Sequence, residues 1–178
     1  WGDDHHRFCS VKAGDVDGFI ECGTEYHRIY EDFPEHDRGD ELLYNAAIAF
    51  EAGYLVGNAI KLRNLLLDEH PDSKLHKKTL KMVAENYQAI AFYEKAADHL
   101  EQYADKYTKD EYAGTALSNA YIFREGLGDE AKAKSNLEKY EALYKKKNPE
   151  KAAKIFWSKN ELLDNDTAKA DHARQYIK

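Results

Sequence analysis

The chain has 178 residues, a formal net charge of −7, 43% hydrophobic and 33% charged residues, and only 3 Pro and 10 Gly. Enough apolar surface is present for a core, which excludes disordered and collagen-like classes, and the acidic balance excludes a general nucleic-acid binder, which must displace counterions with positive charge. The longest apolar run, residues 46–50, falls far short of the roughly 20 residues that span a bilayer.

Ala, Leu, Lys and Glu are plentiful and Val and Ile scarce, so helix is favoured over strand. In chain order, residues 1–14 read as an irregular lead-in. Apolar spacing of three and four predicts helices over 15–33, 40–52, 55–69, 75–90, 93–107, 111–125, 129–146, 150–163 and 167–177. That is a leading helix followed by four hairpins, about 40–71, 75–108, 111–146 and 150–177, in one repeat domain over 15–178. Near the first helix, Asp15, Asp17 and Gly18 fit places in a calcium loop. Ala13 and Thr24 stand where the first and the bidentate ligands are needed, so the acids read as a helix start complementing the dipole.

A shift of 37 residues brings the chain into register with itself. Cys22, Ala59, Ala96 and Ala133 align, as do Ile29, Leu66, Tyr103 and Tyr140, and Phe33, His70, Tyr107 and Tyr144. Upstream in each unit Leu43 aligns with Leu80, Ala46 with Val83, Ala47 with Ala84, and Phe50 with Tyr87. A small residue at the Ala59 column lets two helices approach closely. Gly53 and Gly128 are expected to make the turns between paired helices, with one extra residue in the third turn, around Gly126–Asp129. Pro34 and Pro71 end helices, and Asp72-Ser73 supplies turn and N-cap chemistry. Arg63 stands where Leu100 stands one unit later, which predicts partial exposure.

Residues 1–41 hold 12 acids and 4 bases, so the net charge sits in the N-terminal quarter. That end is expected to be either a solvated surface or a face for a basic partner. Cys9 and Cys22 are 13 residues apart and fit neither a redox nor a zinc spacing. They read as a disulfide pinning the N-terminal segment to the first helix, or as two free thiols. An oxidised pair implies life outside a reducing cytosol. Trp1 opens the chain and Met82 is its only methionine, which reads as a processed product or a piece of something longer.

These residues resemble tetratricopeptide repeats, whose unit of about 34 residues carries a large, a small and an aromatic residue on its first helix and a small Ala, a large residue and a Pro on its second. Leu80, Ala84, Tyr87, Ala96, Leu100 and Tyr103 occupy those places, as do Leu43, Ala47, Phe50, Ala59, Leu66 and Pro71. The match covers roughly residues 40–146. The longer unit, with the phrases at 40–47, 70–73 and 96–98, is similar to the bacterial envelope subset, including outer-membrane assembly lipoproteins and large periplasmic repeat proteins. The resemblance implies an all-α fold, a right-handed solenoid of about four helical hairpins plus a leading helix. It implies a non-catalytic protein-interaction scaffold in a cell-envelope assembly, in the periplasm or at the inner face of the outer membrane, with a cytoplasmic location as the alternative. A structural spacer within a longer array, or a metal-binding or enzyme-associated subunit, are the rival readings.

The first helix of each pair is expected to build the binding face, placing partner contacts on Tyr44, Ile48, Glu51, Lys81, Glu85 and Gln88. Tyr44, Tyr54, Tyr112 and Tyr121 are expected off the core columns as interface anchors, Tyr121 being counted with the partner contacts. The carboxylate clamp of the family's co-chaperones is absent apart from Lys81, and Glu85 would repel a carboxylate. No cofactor, metal or catalytic constellation is expected: the 8 His are scattered, and no phosphate loop, nucleophile elbow or Cys-His pair is present. Lys145-Lys146-Lys147 reads as a solvated helix end. Of Phe156 and Trp157, one is expected to pack on the preceding repeat and the other to cap the stack or meet a partner.

Overall fold

The computed structural model describes residues 15–144 and 165–177, with residues 149–150, 153–154 and 157 between them. The lead-in with Cys9, the basic stretch Lys145–Lys147, Phe156 and most of the expected 150–163 helix lie outside the described residues. Among the described residues the regular structure is entirely helical.

The chain divides into two compact units, Trp1–Phe92 and Tyr93–Lys178, and the division falls inside the expected 75–108 hairpin. The first unit holds α1 (Val16–Asp32), α2 (Gly39–Ala52), α3 (Val56–Glu69) and α4 (His76–Ala89). The second holds α5 (Tyr93–Lys106), α6 (Ala113–Gly126), α7 (Glu130–Tyr144) and α8 (Asp166–Ile177). In the first unit α1 packs on α2, α2 on α3 and α3 on α4; in the second, α5 packs on α6 and α6 on α7. Neighbour-on-neighbour packing of this kind is the pattern of an all-α helical-repeat solenoid. Asp15 Oδ1 caps α1 by accepting from the Gly18 amide at 3.0 Å, and Asn165 caps α8 through the Ala168 amide at 2.9 Å.

The 37-residue register extends to the backbone. Helices α2, α4 and α6 end at 52, 89 and 126, and α3, α5 and α7 begin at 56, 93 and 130. The intervening turns are therefore equal in length, and the third carries no extra residue. Each turn has the same Schellman hydrogen bonds: Leu55 to Phe50 at 2.7 Å, Phe92 to Tyr87 at 2.8 Å and Asp129 to Arg124 at 2.9 Å, amide to carbonyl. The residue with positive φ also recurs every 37, at Tyr54 (61°), Ala91 (61°) and Gly128 (74°). Gly53 does not supply it, since its φ is −83°. Gly53 is needed instead for close approach, because a Cβ there would lie 2.8 Å from Ile20 Cγ1 of α1.

The connections between units of the repeat, 33–38, 70–75 and 107–112, also share one form. At the same position in each, His36, Ser73 and Asp110 accept from the amide two residues on, at 3.1, 2.9 and 2.9 Å. Ser73 thus supplies the expected turn chemistry, but the N-cap position of α4 is Leu75, which makes no side-chain cap.

The expected columns form the core. Cys22, Ala59, Ala96 and Ala133 are buried, as are Ile29, Leu66, Tyr103 and Tyr140, and Leu43, Leu80 and Leu117. In the first unit Cys22, Tyr26 and Tyr30 of α1 join Leu43, Ala46 and Phe50 of α2 and Ala59, Leu62 and Leu66 of α3 in one cluster. Phe33 departs from its column: the chain leaves α1 there, and the ring is 52% exposed. Cys22 is disulfide-bonded, and the chain's one other cysteine is Cys9.

Candidate protein-interaction surface

The face formed by α2 and α4 in the first unit is built by register. Residues 44, 48 and 51 of α2 are displaced by 37 from 81, 85 and 88 of α4, so the expected contact residues occupy matching places on the two helices. Four contacts hold the two helices side by side. Asp40 accepts from Ser73 Oγ in the connection before α4. The Tyr44 hydroxyl points at Met82 Sδ at 3.6 Å, and the Lys78 ammonium lies 5.1 Å from the centre of the Tyr44 ring. Glu51 accepts from Asn86 Nδ2.

The expected residues do not behave alike. Ile48 is 37% exposed, and Glu85 and Gln88 are exposed. Tyr44 and Lys81 are half-buried, and Lys81 Nζ lies 3.8 Å from Glu85 Oε1. Glu51 is engaged inward, accepting from Arg63 Nη2 of α3 at 2.7 Å. Tyr121 is 4% exposed and is no surface anchor. The physical reason is its register: it occupies the column of Ala47 and Ala84, a core position, and its hydroxyl donates to Glu125 at 3.0 Å. Tyr112 is half-buried, its ring edge-on to Tyr103 with centroids 5.2 Å apart. Tyr54 is 80% exposed and Trp157 half exposed.

The expectation of partial exposure at Arg63 is overturned, since it is 1% exposed. Its guanidinium reaches Glu51 and also donates to Asn86 Oδ1, joining α2, α3 and α4. A buried charge requires such partners, because its desolvation exceeds what any apolar contact returns. Arg124 of α6 is buried in the same way in the second unit. It donates to Glu101 from Nε at 3.0 Å and from Nη2 at 2.9 Å, and to Asp98, both on α5. Glu101 also accepts from Asn136 of α7 at 2.6 Å, and Lys132 lies 3.5 Å from Asp98. Burial alone would raise the Asp98 carboxyl. The hydrogen bond and charge of Arg124, with Lys132 and Lys95, outweigh it and hold the group below its ordinary value. Hydrogen bonding by Glu101 and Asp98 raises Arg124, against the opposing effect of burial. One signal in the sequence could have located this cluster. Asn64 and Tyr87, hydrogen-bonded at 3.1 Å, stand 37 residues before Glu101 and Arg124, so an ion pair replaces a neutral pair at one repeat position.

At the acidic end of the first unit, the connections 33–38 and 70–75 enclose an open cavity of about 360 Å³ lined by His36, Asp37, Asp40, Glu69, His70 and Asp72, with Pro71 and Ser73. The His70 ring meets Tyr30 edge-on, centroids 6.1 Å apart. Burial, then the charges of Glu69 and Glu35, raise the Tyr30 hydroxyl above its ordinary value. Among the described residues no group of three or more His, Cys, Asp or Glu side chains is arranged to hold a metal ion. No described helix is long and apolar enough to cross a membrane.

The fold and this surface define a class, an all-α chain of helical repeats with a polar-apolar face on α2 and α4. No protein-family model matches the chain, and no curated protein is significantly similar to it.

Proposed function

We propose that the chain is a non-catalytic protein-interaction scaffold of the tetratricopeptide type, with α2 and α4 as its binding face. The observation that carries this reading is the pairing of matching positions on α2 and α4. Tyr44, Met82 and Lys78 link the two helices, while Ile48, Glu85 and Gln88 stay open to solvent. Exposed apolar and aromatic groups held on rigid helices lose little entropy when a partner binds, which is what a recognition face needs. The disulfide at Cys22 supports an oxidising compartment, and with the envelope-like repeat length it favours a place in a cell-envelope assembly. The acidic cavity wall at 36–40 and 69–72 is the place for a basic partner. A spacer role within a longer array is the second reading, favoured by the identical turns after α2, α4 and α6.

The test is site-specific photo-crosslinking in the native cell. A crosslinker at position 48 or 85 is expected to capture a discrete partner protein, and one at Lys61 or Asp68, exposed on α3, is not. Capture from α3 equal to that from α2 and α4 contradicts the assignment of the face. Capture only of other copies of the repeat supports the spacer.

A further inference from the structure

We propose that the turns after α2 and α4 form a second docking surface on the first unit, and that its occupant is a basic, apolar-rich segment of a partner protein. Large apolar side chains of that segment set on Tyr54, Leu55, Ile90 and Phe92, while its Lys or Arg side chains meet Asp17 and Glu21 of α1. This surface is separate from the α2–α4 face and does not rest on it.

The two turns share one edge, because the Glu51–Asn86 hydrogen bond joins the last turns of α2 and α4 directly before them. Tyr54 is 80% and Phe92 60% exposed, and Leu55 and Ile90 are each about two-fifths exposed. At about 200 Å² for a whole aromatic side chain, these four leave about 400 Å² of largely apolar area in water, a size that marks functional patches on monomers. Residues 52–60 and 89–92 contain no Asp, Glu, His, Lys or Arg. The amides of 53–55 and 90–92 all donate back into their own turns, so a partner meets side chains here and not open backbone. Tyr54 also holds φ 61°, a conformation that is unfavourable for an L side chain and that Gly128 takes freely in the third turn. The exposed ring gains no burial that would offset this strain within the fold, which points to a use outside it.

The charge at this edge comes from α1. Ile20 sits against Gly53, where a Cβ would come within 2.8 Å of it. Asp17 lies one turn before Ile20 and Glu21 follows it; both are exposed, and neither is in an ion pair among the described residues. The other charges nearby do not answer them. Glu51 is turned inward to Arg63 and Asn86, and Lys81 is set against Glu85 at 3.8 Å. The first base after the 53–55 turn is Lys61, two turns into α3. Apolar anchors beside unpaired carboxylates complement apolar groups beside cations. A second copy fits poorly: it would bring the same acids together, and two such patches bury about 800 Å², short of the roughly 1,000 Å² expected of a stable interface.

The test is selection of a random linear peptide library, displayed on phage, against the immobilised full chain. The expected consensus places Lys or Arg beside Leu, Ile, Phe or Trp. A labelled synthetic peptide of that consensus should bind at least about tenfold more weakly to Tyr54→Gly/Phe92→Ser and to Asp17→Lys/Glu21→Lys, with unchanged circular dichroism, and equally well to Ile48→Asp. Tyr54→Gly alone should weaken binding while raising the melting temperature, opposite signs that a merely structural tyrosine would not give. Affinity should fall between about 50 and about 500 mM NaCl. Selected peptides that are acidic or neutral, or that bind Asp17→Lys/Glu21→Lys unchanged, overturn the proposed chemistry. Peptides that depend on Ile48 and not on Tyr54 and Phe92, or no selected peptide at all, overturn the edge as a docking surface. A dimer seen by sedimentation equilibrium and lost in Tyr54→Gly/Phe92→Ser overturns the proposal in favour of a second copy. Phosphatidylcholine vesicles bound through Tyr54 and Phe92, while no peptide binds, overturn it in favour of a lipid surface.

Discussion

Removing the Arg63 side chain tests how the first unit is held together. Arg63→Ala deletes a guanidinium that is fully covered and leaves two partners behind. Glu51, 37% exposed, can regain water, so the upper half of the range of about 3–5 kcal/mol for breaking a buried pair does not apply. Asn86 stays buried and loses the donor to its carbonyl, a cost of about 1–3 kcal/mol. With the alkyl stem also lost, the expected destabilisation is about 3 kcal/mol. Arg63→Leu installs the residue found at the same column in Leu100 and Leu137 and should recover about 1–2 kcal/mol of that. Glu51→Gln combined with Arg63→Leu removes the orphaned charge while keeping an amide for Asn86, and should come within about 1 kcal/mol of the parent. Urea unfolding of the full chain carrying each of these three variants, and Glu51→Gln alone, followed by far-ultraviolet circular dichroism, gives the four values that the comparison needs. A loss below about 1 kcal/mol for Arg63→Ala, or strict additivity of the two single changes in the double variant, would refute the account of Arg63 as a shared anchor.

Three further predictions concern single features. Tyr54→Gly and Ala91→Gly should each stabilise the chain by roughly 0.5–1 kcal/mol, and Gly128→Ala should destabilise it by about 1 kcal/mol, because all three positions hold positive φ; thermal melts that rank them otherwise count against the shared turn. Gly53→Ala should cost about 1–3 kcal/mol by forcing α1 from α2 at Ile20, and Ile20→Ala in the same chain should return part of it. Stability in the second unit should fall at both extremes of pH. Asp98 is held below its ordinary value, so its contribution is complete above the unfolded value of about 4 and is lost as pH drops through the folded one. Tyr103 is raised by burial and by its hydrogen bond to Asp110, so its contribution is complete below the unfolded value of about 10 and is lost as pH rises toward the folded one. Asp98→Asn should flatten the acid limb of the urea midpoint against pH, and Tyr103→Phe the alkaline limb.

The helices were legible because apolar spacing and the 37-residue register report the same thing twice. No described helix end departs from its expected place by more than two residues, leaving aside the C-terminus of α7, beyond which lie undescribed residues. What the register did not disclose is how one position changes chemistry between copies. Arg63 shares a column with Leu100 and Leu137, and a column average predicts a surface compromise. Burial of the charge instead depends on Glu51 and Asn86, which come from two other helices. Tyr121 was misplaced by the opposite error, since its column with Ala47 and Ala84 was readable by the same shift of 37. Gly53 shows a third kind of difficulty. A glycine near a turn suggests a special φ, whereas here the backbone is ordinary and the constraint is the approach of Ile20. On the α2–α4 face the pattern of matching positions was legible, but the inward turn of Glu51 was not, because it depends on the buried arginine.

The most direct measurement of the central claim is hydrogen exchange of the full chain, alone and in complex with the partner captured through position 48. The account predicts slowed exchange confined to α2 and α4, with α3 unchanged. Protection on α3, or only in the acidic connections 33–38 and 70–75, would contradict it.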